Sequence, residues 1–286
     1  MKSNCFKMIF MSLITSFIFL FAITQLILNR NVNLEDLTNN QYKSDFILKI
    51  KNHKNYENLT GKGVKIAIVD SGISREHKDL INIKLGYRVQ TKNSVINDTT
   101  GHGTEIAGII SASNNKFGIV GIAPGSEVYP VSVLNKNGNS SISNIIEAIK
   151  WCISNQIDII NLSISTSYND QKFKEVIATA ISNNIIIVAS YSNQKNTYDY
   201  PAMYANVIGV KSTVKNEIKI IDNIVFAPGF NIVTTSTEGN YTIVNGNSFA
   251  TANITGFAAL LKEKYERKGE NLAYIDIINE IKDFNN

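Results

Sequence analysis

Cysteine is nearly absent from this chain: Cys5 and Cys152 are the only two in 286 residues. So few exclude a disulfide framework, and neither has partners at the spacing of a zinc site. Cys152 falls on the apolar face of a helical pattern and reads as a small buried hydrophobe. Charge of one sign is scarce too. The formal net charge is +4, from 28 basic and 24 acidic residues scattered along the chain. A nucleic-acid surface needs a clustered basic stripe, which this distribution does not supply. There are only four prolines, and neither a proline-rich linker nor an internal repeat divides the chain. With 44% hydrophobic residues, it can fill the core of one large domain.

One long hydrophobic run is present. Lys2 and Lys7 precede Met8–Leu28, which carries no charge and is long enough to cross a bilayer, for which about 20 residues suffice. No A-x-A cleavage site follows, so residues 1–28 are expected to be an uncleaved anchor, with a cleaved signal as the alternative. The leading lysines would stay in the cytoplasm and place everything after Asn29 outside. Residues 29–57 are polar and mixed, reading as a tether and an irregular entry segment. The domain proper is expected over 58–286.

Within it, strand-like and helix-like runs alternate. VKIAIVD (64–70), IDIINLSIS (157–165), IIIVAS (185–190) and NVIGVKS (206–212) are short β-rich runs of the kind buried in parallel sheets. Between them, Ile142, Ile145, Ile146, Ile149 and Cys152 share one helical face, with Asn144 and Glu147 resembling a capping box. Phe173, Val176, Ile177, Ala180 and Ile181 repeat the spacing. The pattern predicts an α/β fold, a mostly parallel central sheet with helices on both faces. Asp70 ends one strand, and Asn193 follows another closely. Sites in such sheets gather at the carboxyl ends of the strands.

The stretch GNSFATANITGFAALL (246–261) puts Ser248 at the mouth of an apolar helix. A helix N-cap is the commonest reason for a serine there. A nucleophile is the other, and it needs a base and a carboxylate to orient that base. Of the three histidines, His102 stands between two glycines at the start of a helical run. His77 reads as a surface loop residue, and His53 lies in the polar entry segment.

VKIAIVDSGI, GHGTEIAGII, GIVGIAPGSEVYPVSVL, IDIINLSIS and GNSFATANITGFAALL occur in this order over roughly residues 58–265. In them the chain resembles the subtilisin-like serine proteases (subtilases, peptidase family S8). An α/β-hydrolase is disfavoured, because its G-x-S-x-G elbow is absent and its triad order differs. The resemblance implies a serine endopeptidase with Ser248 as nucleophile, His102 as general base, Asp70 orienting His102, and Asn193 with the Ser248 N–H as oxyanion donors. It also implies that substrate peptides add as a strand beside Ser163, Ile164 and Ser165. Four departures from the family pattern are visible: Ser192 where glycine is usual, Ser163-Ile164-Ser165 for S-L-G, Asn247 for threonine, and Ala252-Asn253 for Pro-His.

By the same resemblance Asp199 lies at the floor of the first specificity pocket, which would favour cleavage after Lys or Arg. SASNNKFGIVGIAP (111–124) resembles the family's calcium loop, with Asn115 and also Asp79 as candidate ligands; the chemistry itself requires no cofactor. Residues 29–57 are short for a pro-domain. An anchored, basic-pocket enzyme without one resembles the subtilases that remove leader peptides from lantibiotic-type peptides. The expected partners are a peptide or protein substrate and, through the N-terminal segment, a membrane; a monomer is expected. The rival from another class is an inactive, protease-shaped protein that binds peptides without cutting them.

Overall fold

The computed structural model describes residues 32–284, apart from 95, 96, 99, 136 and 194–197. The hydrophobic run Met8–Leu28 and Cys5 lie outside the described residues. Among the described residues, no helix is long and apolar enough to cross a membrane. The residues from Asp36 onward group into one body.

Its centre is an eight-stranded sheet. Seven strands are parallel neighbours: β3 (Tyr87–Arg88), β5 (Glu127–Ser132), β2 (Lys65–Asp70), β6 (Ile159–Leu162), β7 (Ile186–Ser190), β8 (Ile208–Thr213) and β10 (Ile224–Pro228), in that spatial order. The edge strand β9 (Lys219–Ile221) pairs antiparallel with β10. Short pairs β1–β4 (Gln41–Tyr42 with Gly118–Ile119) and β11–β12 (Ile232–Thr235 with Tyr241–Val244) lie outside this sheet.

Successive side chains of a strand point to opposite faces, and β2 feeds both layers accordingly. Ile66 and Ile68 enter one buried cluster, Ala67 and Val69 the other. The first cluster takes in residues of α1 (Asp45–Lys51), α2 (His102–Ser111), α5 (Asn247–Glu266) and α6 (Tyr274–Asp283). The second holds α3 (Ile142–Ser154) and α4 (Gln171–Ser182). This is the predicted parallel sheet covered on both faces.

Three local expectations need correcting. The start of α3 is capped by Ser141, whose side chain accepts from Asn144 N, while Glu147 accepts from the Tyr87 hydroxyl instead of closing a capping box. The second β-rich run, 157–165, forms a shorter strand, Ile159–Leu162, because Ser163–Ser165 leave the ladder and line a cleft. Within the polar segment 29–57, residues 45–51 form a helix capped by Ser44, and its Phe46, Ile47 and Ile50 are buried in the core. The expected domain start at 58 therefore falls inside the folded body.

The strand order reverses at β2, with β5 on one side and β6 on the other. Crevices of open α/β sheets form at such a switch point, beyond the carboxyl ends of the strands. Asp70 is the last residue of β2.

Candidate active site

Asp70 is fully buried, and its Oδ1 accepts from the Ser71 N–H at 2.8 Å. Both its carboxylate oxygens lie 2.9 Å from His102 Nδ1. His102 opens α2, after Gly101 in the left-handed region at φ 92°. At Gly103 an added Cβ would come within 2.1 Å of the Gly72 carbonyl, so only glycine lets this helix start lie against the end of β2. The pair of glycines noted in the sequence thus brings an imidazole over a buried carboxylate.

Asp98, which sequence reasoning passed over, fixes this turn. Its Oδ1 accepts from Ser71 Oγ, Thr100 N and Gly101 N at 2.7–3.1 Å, and its Oδ2 from Thr104 N and Oγ1. An acidic residue just ahead of a helical run is a capping signal, so it was there to be found.

Burial alone would lower the His102 pKa, but the charge and hydrogen bond of Asp70, with Glu105 and Asp98 nearby, raise it to about 9. The imidazole is 30% exposed, so its other edge faces the cleft.

Ser248 is the second residue of α5, behind Gly246 at φ 144°, which makes no side-chain cap. The N-cap reading of Ser248 therefore does not hold. The next residue, Phe249, has its ring centroid 5.5 Å from that of His102. Among the described residues no hydrogen bond joins Ser248 to His102; such bonds often tighten only with substrate in place. The other polar residues of α5 are satisfied: Thr251 Oγ1 donates to the Asn247 carbonyl and Asn253 Nδ2 to the Pro228 carbonyl.

Asn193, exposed on the loop after β7, accepts from the Asn247 N–H through Oδ1 at 3.1 Å. Its Nδ2 is left to donate at the N-terminus of α5. Ser163–Ser165 and His102 line one cleft of about 470 Å³.

Residues 61–273 match the family described as the subtilase family, peptidase S8. The chain belongs to the subtilase family. It is 38% identical over 214 residues to the minor extracellular protease Epr of Bacillus subtilis (strain 168), covering 72% of this chain and 33% of that protein. It is 36% identical over 215 residues to Subtilisin Savinase of Lederbergia lenta, covering 72% and 78%. The match to M-protease of Shouchella clausii (strain KSM-K16) covers 56% of that protein, so the chain spans a third of Epr and about half of M-protease. The crystal structure of a cold adapted subtilisin-like serine proteinase superposes with a TM-score of 0.66 at 23% identity, over 78% of this chain and 82% of that one. The fold is shared.

Other residues of this subtilase fall as follows. Asp199 is 4% exposed, and its buried Oδ1 has no hydrogen-bond partner among the described residues. A carboxylate oxygen removed from water without a partner is costly unless a cation meets it. Asp79 is fully buried; it accepts from Asn115 Nδ2, Ile119 N and the Tyr241 hydroxyl, each at 2.9 Å. Beside it, Asn115 Oδ1 and the carbonyls of Ser113 and Phe117 converge on Gln41 Nε2 at 3.0–3.1 Å. Three oxygens converging beside a buried carboxylate fit a hard cation.

His77 is a correction. It is 2% exposed, with Nε2 on the Asn240 carbonyl at 2.9 Å and Nδ1 accepting from Asp79 N. It holds the 77–79 turn against the β11–β12 connection. His53 stacks on Tyr56 at 4.7 Å. Cys152 is buried, and burial pushes its thiol pKa up, as an inert core residue requires.

Proposed function

We propose that this chain is a serine endopeptidase acting through Asp70, His102 and Ser248. The observation that carries this is the buried Asp70 carboxylate with both oxygens 2.9 Å from the Nδ1 of a cleft-facing imidazole. That contact fixes the proton on Nδ1 and leaves Nε2 as the base. Nε2 takes the Ser248 proton as Oγ attacks the scissile carbonyl. The same nitrogen then returns a proton to the leaving amine, and water repeats the cycle on the acyl-enzyme. Asn193 Nδ2 and the Ser248 N–H donate to the oxyanion, where the helix N-terminus favours negative charge. The substrate backbone adds as a strand along Ser163–Ser165. Turnover of fluorogenic peptides, lost in Ser248→Ala, tests the reading. Peptide binding without turnover would favour the inactive binding protein.

Cleavage after Lys or Arg is the proposed specificity, supported by the buried Oδ1 of Asp199, which has no hydrogen-bond partner among the described residues. Truncating one member of a buried charge pair costs about 2–5 kcal/mol. Asp199→Ala is therefore expected to lower kcat/KM for an Arg peptide about a hundredfold and to leave a Phe peptide nearly unchanged. An unmodified chain that cuts the Phe peptide faster would remove Asp199 from this role.

A structural calcium is proposed at Asp79, Asn115, the Ser113 and Phe117 carbonyls, and Gln41 with its amide turned so that oxygen faces them. Calcium takes six to eight oxygens, and water would complete the set. A ligand at a hundredfold over its Kd adds about 2.7 kcal/mol, which for a body of this size raises Tm by about 5–10 °C. Equal Tm values in chelator and in millimolar calcium would exclude it.

The Met8–Leu28 run supports a location outside the cytoplasm, by anchor or cleaved signal, and the name of the extracellular relative Epr agrees. Leader-peptide removal is the narrower activity that an anchored protease with a basic pocket would suit.

A further inference from the structure

We infer that Asn247 is a positioning residue that holds the oxyanion loop in register with the nucleophile; this rests on the protease reading above. Asn247 opens α5, next to Ser248, and is 7% exposed. Its side chain makes four hydrogen bonds. Oδ1 accepts from Ser212 N and Ser212 Oγ, both at 2.8 Å. Nδ2 donates to the Tyr191 and Ser192 carbonyls, both at 3.0 Å. This uses the full capacity of a carboxamide. The orientation of the amide is fixed by its partners, since a backbone N–H can only donate and the two carbonyls can only accept.

These bonds link three segments that the sequence separates widely: the loop after β7, the end of β8, and the first turn of α5. The fifth bond, from the Asn247 backbone N–H to Asn193 Oδ1 at 3.1 Å, ties down the oxygen of the Asn193 amide and so leaves its NH2 as the donor end. One residue therefore sets both the height of the Asn193 loop, by its side chain, and the orientation of the Asn193 amide, by its backbone. An oxyanion donor acts only if it sits within hydrogen-bond reach of the transition-state oxygen, and small misplacements cost rate out of proportion to their size. A single hydroxyl at position 247 could not bridge both carbonyls and Ser212.

Asn247→Ala leaves the backbone bond and removes the four side-chain bonds, freeing the 191–193 loop. The expected result is a fall in kcat of about ten- to a hundredfold, approaching the loss of a whole oxyanion donor, with KM within about twofold. The deciding measurement is a double-mutant cycle with Asn193→Ala, on preparations counted by a serine-reactive phosphonate. If Asn247 acts through Asn193, adding Asn247→Ala to Asn193→Ala lowers kcat less than about threefold further. Hydrogen exchange over residues 188–193 should also quicken in Asn247→Ala. If that variant fails to fold, Asn247→Ser carries the same cycle. A wild-type kcat in the single variant, or losses that multiply in full, overturns the clamp alone. Absence of any Ser248-dependent turnover in the unmodified chain overturns the protease reading and this inference with it.

Discussion

Ser248→Ala is expected to lower kcat by about a millionfold, the scale on which loss of a triad nucleophile acts, without lowering Tm. Two observations separate the effects. Ser248 Oγ makes no hydrogen bond among the described residues, and the cap position of α5 belongs to Gly246. Alanine is the best helix former, so the first turn loses nothing. A capping serine would behave in the opposite way, costing about 1 kcal/mol of stability on truncation and leaving turnover intact. Calorimetry and peptide hydrolysis on one preparation therefore distinguish the two readings. Residual turnover above about one per cent of the unmodified chain would be incompatible with the millionfold scale and would disqualify Ser248 as nucleophile.

Asp70→Asn is expected to cost about 10⁴ in kcat, since an amide no longer holds the imidazole in the tautomer that leaves Nε2 as base. The pH profile should move as well. His102 must be neutral to accept the serine proton, and its pKa is about 9. Activity of the unmodified chain should therefore climb through alkaline pH and level off above about 9. Without the Asp70 charge, burial remains and pulls the other way against only the weaker pull of Glu105 and Asp98, so the residual activity should titrate well below the value of the unmodified chain. Measuring kcat/KM between about pH 4.5 and 10.5 covers both limbs. An unmodified chain whose activity levels off near 6.5 would mean that the Asp70 charge is not felt by the imidazole.

The sheet and its two helical layers were legible because burial on both faces writes itself as short runs such as VKIAIVD, and the helices between them keep strict spacing. The Asp70–His102 pairing was legible only through the family resemblance; the glycines on either side of His102 singled it out among the three histidines, and the structure adds that Gly103 has no room for a Cβ beside the Gly72 carbonyl. His77 was misread for a physical reason: its partner Asn240 is distant in the chain, and a buried histidine satisfied by a backbone carbonyl looks in sequence like any loop histidine. Residues 45–51 were missed because Lys49 and Lys51 dilute a seven-residue helix whose Phe46, Ile47 and Ile50 are buried by tertiary contact. Asn247 appeared only as a departure from the family pattern, and its role depends on carbonyls some 55 positions away.

The Asp70–His102 pair has one more consequence, for handling the protein. Its imidazole pKa is raised by folding, so the pair stabilises the fold fully below about 6.5 and ceases to do so as pH rises through about 9. Under the proposed mechanism, turnover is expected to rise over that same interval. If that mechanism holds, alkaline solution is therefore expected to make each molecule a faster protease while this pair's contribution to the fold is lost. A stock kept slightly acidic is expected to retain this pair's contribution in full and, on the proposed mechanism, to be less able to consume itself.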